Sequence, residues 1–162
     1  MIRSSNVGTL KIAQMIGEDK YKDFLESLNL LKTINFELDE MGYPLHINWD
    51  KCKLETVSYG HGIATTPLQV ASAYSSLING GTLVEPTLVS KETKKETKRV
   101  ISEETSLKLN KILRKVVTDE NGTASLADIF GYKVAGKTGT SQSYFNNDHN
   151  INTFISNFKI NE

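Results

Sequence analysis

Apolar residues recur with helical spacing through the first two-thirds of this chain and alternate in strand fashion only near its end. Val7 to Ile16 reads as a short helix stopping at Gly17. Tyr21, Phe24, Leu25 and Leu28 then stand at i, i+3, i+4 and i+7, which makes one apolar helical face. Residues 32–58 keep no period and are punctuated by Gly42, Pro44 and Asn48, so they predict loops with at most short strands. A stronger helix starts at Thr66. Pro67 suits a first turn, Gln69 completes a capping-box pattern with Thr66, and Val70, Tyr74, Leu77 and Ile78 share a face before Asn79-Gly80-Gly81 ends the run. "TLVEPTLVS" (82–90) predicts an extended segment that Pro86 confines to a sheet edge or strand end.

Ser102 is placed to cap the next helix, with Glu103 and Glu104 favourable at its positive end. Its predicted core stripe is Leu109, Ile112, Leu113, Val116 and Val117, with Lys111, Arg114 and Lys115 outward. "ENGTAS" (120–125) reads as a turn followed by a short helix. Tyr132 to Thr140 predicts a strand, "SYFNNDHN" a polar turn, and "INTFISNFKI" a second strand, together an antiparallel hairpin. Helices first and a hairpin last is an α+β order, not the alternation of a parallel sheet, and the chain shows no internal repeat.

Composition narrows the function more than the fold. At 162 residues the chain fits one ordinary domain with a real core. Lysine plus arginine and aspartate plus glutamate both number 19, so the basic excess of a nucleic-acid binder is missing. The densest basic stretch, Lys91 to Arg99, is interrupted by Glu92 and Glu96 and reads as a solvated loop or hairpin. Cys52 is the single cysteine, which rules out an internal disulfide, and His46, His61 and His149 lack the spacing of metal ligands. No apolar run has the length of a membrane helix, and the first residues lack the apolar stretch of a secretory signal.

The chemistry concentrates in "GYKVAGKTGTSQS" (131–143). Lys137, Thr138, Gly139 and Thr140 put one positive charge, two hydroxyls and bare backbone on a predicted strand. Threonine hydroxyls donate to a carboxylate, the lysine adds a positive field, and an edge N–H can serve an oxyanion. Gly139 has no Cβ to block an added strand, such as a peptide substrate. The plainer reading is a strand running into a turn, since such short strings also arise by chance. At the other end Ser4-Ser5-Asn6 precedes a helix, where Ser and Asn routinely act as caps. Alternatively the pair is a site loop, with a hydroxyl to relay a proton and an amide to hold a substrate amide. Ser-x-Asn followed much later by Lys-Thr-Gly on a strand is a pairing found in penicillin-interacting serine enzymes.

On three segments the sequence resembles the transpeptidase domain of class B penicillin-binding proteins, of the division or elongation type. These are "SSNVGTLKIA" (4–13), "SYGHGIATTPLQVASAYSSLINGG" (58–81) and "VAGKTGTSQ" (134–142), of which the Gly60-x-Gly62 with Thr66-Pro67-Leu68-Gln69 is the most specific. The resemblance implies part of a serine β-lactamase/penicillin-binding-protein-like fold. It also implies a peptidoglycan D,D-transpeptidase that cross-links stem peptides through a serine acyl-enzyme, with no metal or cofactor. Ser4 would be the relay serine, Asn6 the substrate-amide ligand, and Lys137 the support of both the relay and the substrate's anionic end. Thr138 and Thr140 would bind the carboxylate beside Gly139, with the Thr140 amide in the oxyanion hole. Implied ligands are peptidoglycan stem peptides and β-lactam antibiotics, and implied partners are other cell-wall synthesis or division proteins. The implied location is the periplasmic side of the bacterial inner membrane, anchored by an N-terminal helix outside this chain.

One departure stands out. The family's nucleophile lies in a Ser-x-x-Lys motif ahead of Ser-x-Asn, where only three residues precede Ser4. Ser156-Asn157-Phe158-Lys159 matches the letters, but strand alternation separates Ser156 from Lys159. The expectation is therefore residues 1–162 as a partial transpeptidase domain, lacking the nucleophile segment and a C-terminal strand and helix, and inactive by itself. Alternatives are a β-lactamase or D,D-carboxypeptidase of the same superfamily, or a non-catalytic interaction piece. His61 between two glycines reads as structural or exposed. Tyr144 and Phe145 are candidates for a site rim, and Trp49 and Cys52 have no argued role.

Overall fold

Helices do come first and an antiparallel strand pair last. The computed structural model describes residues 1–38, 42, 44, 49, 53–90, 97–142 and 150–157. In chain order these form α1 (Asn6–Ile16), α2 (Glu18–Ser27), α3 (Lys53–Ser58), α4 (Pro67–Ile78), α5 (Glu103–Thr118), a 3-10 turn (Ser125–Ala127), β1 (Ala135–Gln142) and β2 (Asn150–Asn157). They divide into two compact units, one of residues Asn6–Leu107 and one of Met1–Ser5 with Lys108–Glu162.

In the Asn6–Leu107 unit, α1 packs against α2 and α3, and Ala13, Leu25, Leu28, Ile34, Leu54, Val57 and Ala73 are buried. Helix α3 corrects the loop expected over 32–58. Six residues are too few to show a helical period, and Leu54 and Val57 become an apolar face only when they are buried. The expected capping box at α4 forms: the Gln69 N–H donates to Thr66 Oγ1 at 3.2 Å, and the Thr66 N–H donates to Gln69 Oε1 at 2.9 Å.

The buried face of α4 is not the expected apolar one. It is Gln69, Ser72, Ala73 and Ser76, while Val70 is 39% exposed. Those polar groups satisfy loop backbone that would otherwise be orphaned. Gln69 Nε2 donates to the Asn29 and Lys32 carbonyls at 3.1 and 2.8 Å, Ser72 Oγ donates to the Val84 carbonyl at 2.5 Å, and the Val84 N–H donates to Ser76 Oγ at 2.8 Å. These bonds hold Val84, and a bridge pairs Thr82 with Arg99; among the described residues the expected extended segment over 82–90 joins no longer ladder than that bridge. Gln69→Leu keeps an apolar group of similar bulk but strands two carbonyls and an N–H. We expect a loss of about 1–3 kcal/mol, read as a lower urea midpoint with unchanged slope. Unchanged stability would show that water replaces the amide.

In the second unit, Val116, Val117 and Ala124 form a buried cluster, with Ala127 against it. Helix α5 begins as expected, with the Thr105 N–H donating to Ser102 Oγ at 3.1 Å and Glu103 and Glu104 in its first turn. Its stripe is narrower than its sequence implies: Leu113, Val116 and Val117 are buried, but Ile112 is 41% exposed. Arg114, outward by its place in the pattern, is half-buried instead. It donates to the Val134 carbonyl at 2.7 Å and to Asp128 Oδ1 at 2.8 Å, which ties down the approach to β1.

Strands β1 and β2 pair antiparallel from Ala135↔Asn157 to Gln142↔Asn150. β1 starts later than its sequence implies, since the Tyr132 N–H closes a turn on the Ile129 carbonyl and the Val134 carbonyl accepts from Arg114, and it runs on to Gln142. Of the turn expected over 143–150, residues 143–149, with Tyr144, Phe145 and His149, lie outside the described residues and Asn150 opens β2; His46, Cys52, residues 91–96 and Lys159 also lie outside them. Among the described residues no helix is long and apolar enough to cross a membrane.

Candidate functional site

Strand β1 carries Lys137 and Thr138 at its centre, opposite Ile155 and Phe154 of β2. Gly136 is what lets the strands meet here. A Cβ on it would lie 2.5 Å from the Ile155 carbonyl oxygen and 2.7 Å from Phe154 Cζ, so the Phe154 ring occupies the space a side chain would need. The first residues of the chain lie in the same unit. The Ser4 N–H donates to the Met1 carbonyl at 3.1 Å, closing a turn, and Ser4 adopts φ 50°. A serine in the left-handed region costs free energy that the surrounding contacts must supply.

That turn brings Ser4 to the Lys-Thr-Gly strand. Lys137 Nζ donates to Ser4 Oγ at 2.8 Å and to the Thr138 carbonyl at 2.7 Å. Partial burial lowers the Lys137 pKa from its ordinary value, because desolvation penalises the ammonium. With Nζ as donor, Ser4 keeps its own O–H proton and a further lone pair for a ligand. Thr138 Oγ1 lies 2.8 Å from Thr123 Oγ1, and Thr153 Oγ1 lies 3.4 Å from the Gly139 carbonyl. Thr138 is half-buried, whereas Gly139 and Thr140 are exposed. Among the described residues β1 has one neighbouring strand, β2.

The candidates therefore fall into two groups. Ser4, Lys137, Thr138, Gly139 and Thr140 lie in one unit, with the Ser4–Lys137 contact joining residues far apart in the chain. Asn6 is the exposed first residue of α1, in the other unit. Sequence reasoning missed Thr123, and "ENGTAS" offers no signal that its hydroxyl meets Thr138. Ser156 stands opposite Gly136 on β2. His61 is exposed, its ring stacked 6.5 Å from that of Tyr59. Lys22 Nζ lies 5.9 Å from the centre of the Trp49 ring, within cation–π range.

The arrangement presents an ammonium bonded to the Ser4 hydroxyl, a Thr138 hydroxyl on the same strand bonded to that of Thr123, and a glycine beyond it, groups of the kind that can bind an anion and pass a proton. Comparison with known proteins agrees in kind. The sequence matches the penicillin binding protein transpeptidase domain over residues 1–159. It is 35% identical, over 96% of this chain, to the probable peptidoglycan D,D-transpeptidase FtsI of Caulobacter vibrioides. It is 34% identical, over 86% of this chain, to penicillin-binding protein PbpB of Mycolicibacterium smegmatis. The matches cover 28% and 24% of those relatives, so the chain spans about a quarter of the length of the curated relatives it matches. Among solved structures, penicillin binding protein 3 of Mycobacterium tuberculosis complexed with ampicillin superposes with a TM-score of 0.84 at 28% identity, covering 94% of this chain and 39% of that one.

Proposed function

This chain belongs to the penicillin binding protein transpeptidase domain family, and on that premise we propose that the protein carrying it is a serine-type peptidoglycan D,D-transpeptidase. The observation that carries the reading is the 2.8 Å bond from Lys137 Nζ to Ser4 Oγ, which joins the lysine of Lys-Thr-Gly to the serine of Ser-x-Asn.

In the proposed reaction a serine Oγ bonds to the penultimate D-Ala carbonyl carbon of a stem peptide. The C–N bond to the terminal D-Ala breaks, and the departing nitrogen takes up a proton. An amine of a second stem then takes the acyl group, and the serine recovers its proton. The serine is that of the family's Ser-x-x-Lys motif and not Ser156, which faces a partner strand at Gly136. Ser4 relays the proton, positioned by Lys137. Thr138 and Thr140 hold the substrate carboxylate in the field of the Lys137 ammonium, and the Thr140 amide stabilises the oxyanion. Gly139 leaves β1 open to close approach by the substrate backbone, and Asn6 takes the substrate amide. β-Lactams, which carry a carboxylate and an acylating carbonyl, occupy the same groups. We place the protein on the periplasmic side of the inner membrane, working with other cell-wall synthesis or division proteins.

Full-length protein incubated with a fluorescent penicillin should carry one covalent label on a denaturing gel, and prior ampicillin should prevent it. Absence of a label at saturating probe would overturn the reading.

A further inference from the structure

We propose that Thr123 is a positioning residue that aims the Thr138 hydroxyl at the ligand's carboxylate, which rests on the reading of Lys137 and Thr138 as the anion-binding pair. Thr123 touches both motif segments with different atoms. Its Oγ1 lies 2.8 Å from Thr138 Oγ1 on β1, and its N–H reaches the Ile2 carbonyl at 3.4 Å, two residues before Ser4. Next to it, the Arg3 guanidinium donates to Asn121 Oδ1 at 3.1 Å. The 119–124 turn thus holds the Ser4 segment on one side and the Lys-Thr-Gly strand on the other.

The turn itself is fixed. The Asn121 N–H donates to Asp119 Oδ1 at 2.9 Å, the Gly122 N–H to the Asp119 carbonyl at 2.8 Å, and the Ala124 N–H to the Val116 carbonyl at 3.2 Å. Ala124 is buried against Val116 and Val117. Gly122 lies so close to the end of α5 that a Cβ there would be 2.2 Å from the Val116 carbonyl oxygen. The Thr123 hydroxyl is therefore presented from backbone that cannot rotate away.

Proton counting gives the function of that hydroxyl. Each threonine has one O–H proton and two acceptor lone pairs, and a single proton bridges the two oxygens. With no anion bound, Thr138 can give its proton to Thr123. When a carboxylate arrives, Thr138 turns its proton to the anion and accepts the Thr123 proton in exchange. Both oxygens stay satisfied, and the inward bond polarises the outward one. Without the Thr123 hydroxyl the Thr138 rotor is unguided, and binding the anion must also order it.

The test uses full-length protein and two probes, benzylpenicillin and its methyl ester, each competed against a fluorescent penicillin. Thr123→Val should weaken the pre-acylation binding constant for the free acid by roughly three- to tenfold, the worth of one neutral hydrogen bond. The limiting acylation rate should stay within about twofold, and the ester, which has no anion to hold, should respond equally to both proteins. Thr123→Ser should restore the acid's affinity, because it keeps the hydroxyl. If Thr123→Val loses its cooperative thermal transition, Thr123→Ala replaces it under the same criteria. An equal loss for acid and ester, no loss for either, or failure of serine to rescue would overturn the proposal while labelling of the wild type leaves the transpeptidase reading standing. A wild type that takes no label overturns that reading and this one with it.

Discussion

Lys137→Ala in the full-length protein should slow acylation by a penicillin by roughly one to two decades. The side chain makes two hydrogen bonds from one ammonium, to Ser4 Oγ at 2.8 Å and to the Thr138 carbonyl at 2.7 Å. A hydrogen bond to a charged group contributes about 1.5–3 kcal/mol, and each 1.36 kcal/mol of barrier is about tenfold in rate. Alanine removes the charge that the proposed reading sets against the ligand's anion and also frees Ser4, whose left-handed conformation (φ 50°) is then held by fewer contacts.

The same lysine sets a pH dependence with a definite sign. Burial lowers its pKa from the ordinary value. The ammonium is present below that lowered pKa and is lost as pH rises through it, so anion binding fails at a lower pH than an unperturbed lysine would allow. Wild-type acylation should therefore show an alkaline limb that Lys137→Arg lacks, since a guanidinium keeps its charge throughout the range in which a lysine deprotonates. An acylation rate indifferent to Lys137→Ala would reduce this Lys-Thr-Gly to a strand end. A limb shared by Lys137→Arg would assign the titration to another group.

Gly136→Val should be the most damaging single change to the strand pair. Even a Cβ at this position would fall 2.5 Å from the Ile155 carbonyl oxygen and 2.7 and 2.8 Å from two Phe154 ring carbons. A backbone oxygen inside a strand ladder cannot step aside, so the strands must part or slip. Overpacking costs about 1–3 kcal/mol where side chains can adjust and more where backbone must move. At about 2–4 °C per kcal/mol for a chain of this size, the melting temperature should fall by several degrees at least. Acylation should fall with it, since Lys137 is the next residue along. Gly139→Ala is the control. Its Cβ would meet Thr153 Oγ1 at 2.7 Å, the end of a side chain that can rotate, so it should cost far less. Equal melting temperatures for Gly136→Val and wild type would show that the pairing near Gly136 does not contribute to stability.

Much of this protein is legible in short windows of its sequence. Thr66, Pro67 and Gln69 define the start of α4 because a capping box is made within four residues, and Ser102 with two glutamates does the same for α5. The switch from helical spacing to alternation marks the β1–β2 pair, and the letters Ser-x-Asn and Lys-Thr-Gly mark the candidate chemistry. Each of these depends on groups a few bonds apart, whose geometry the local backbone sets.

Tertiary structure decided the rest. The face α4 buries is polar, because what it meets is the carbonyls of Asn29, Lys32 and Val84, and a hydrophobic pattern carries no record of an orphaned carbonyl elsewhere. Arg114 turns inward for the Val134 carbonyl, against its charge. Thr123 meets Thr138 fifteen residues later, and Ser4 meets Lys137 across 133 positions. Propensity and periodicity reach only a few residues along the chain, whereas a hydrogen bond tests distance and direction to within fractions of an ångström. Only the folded path of the backbone supplies that.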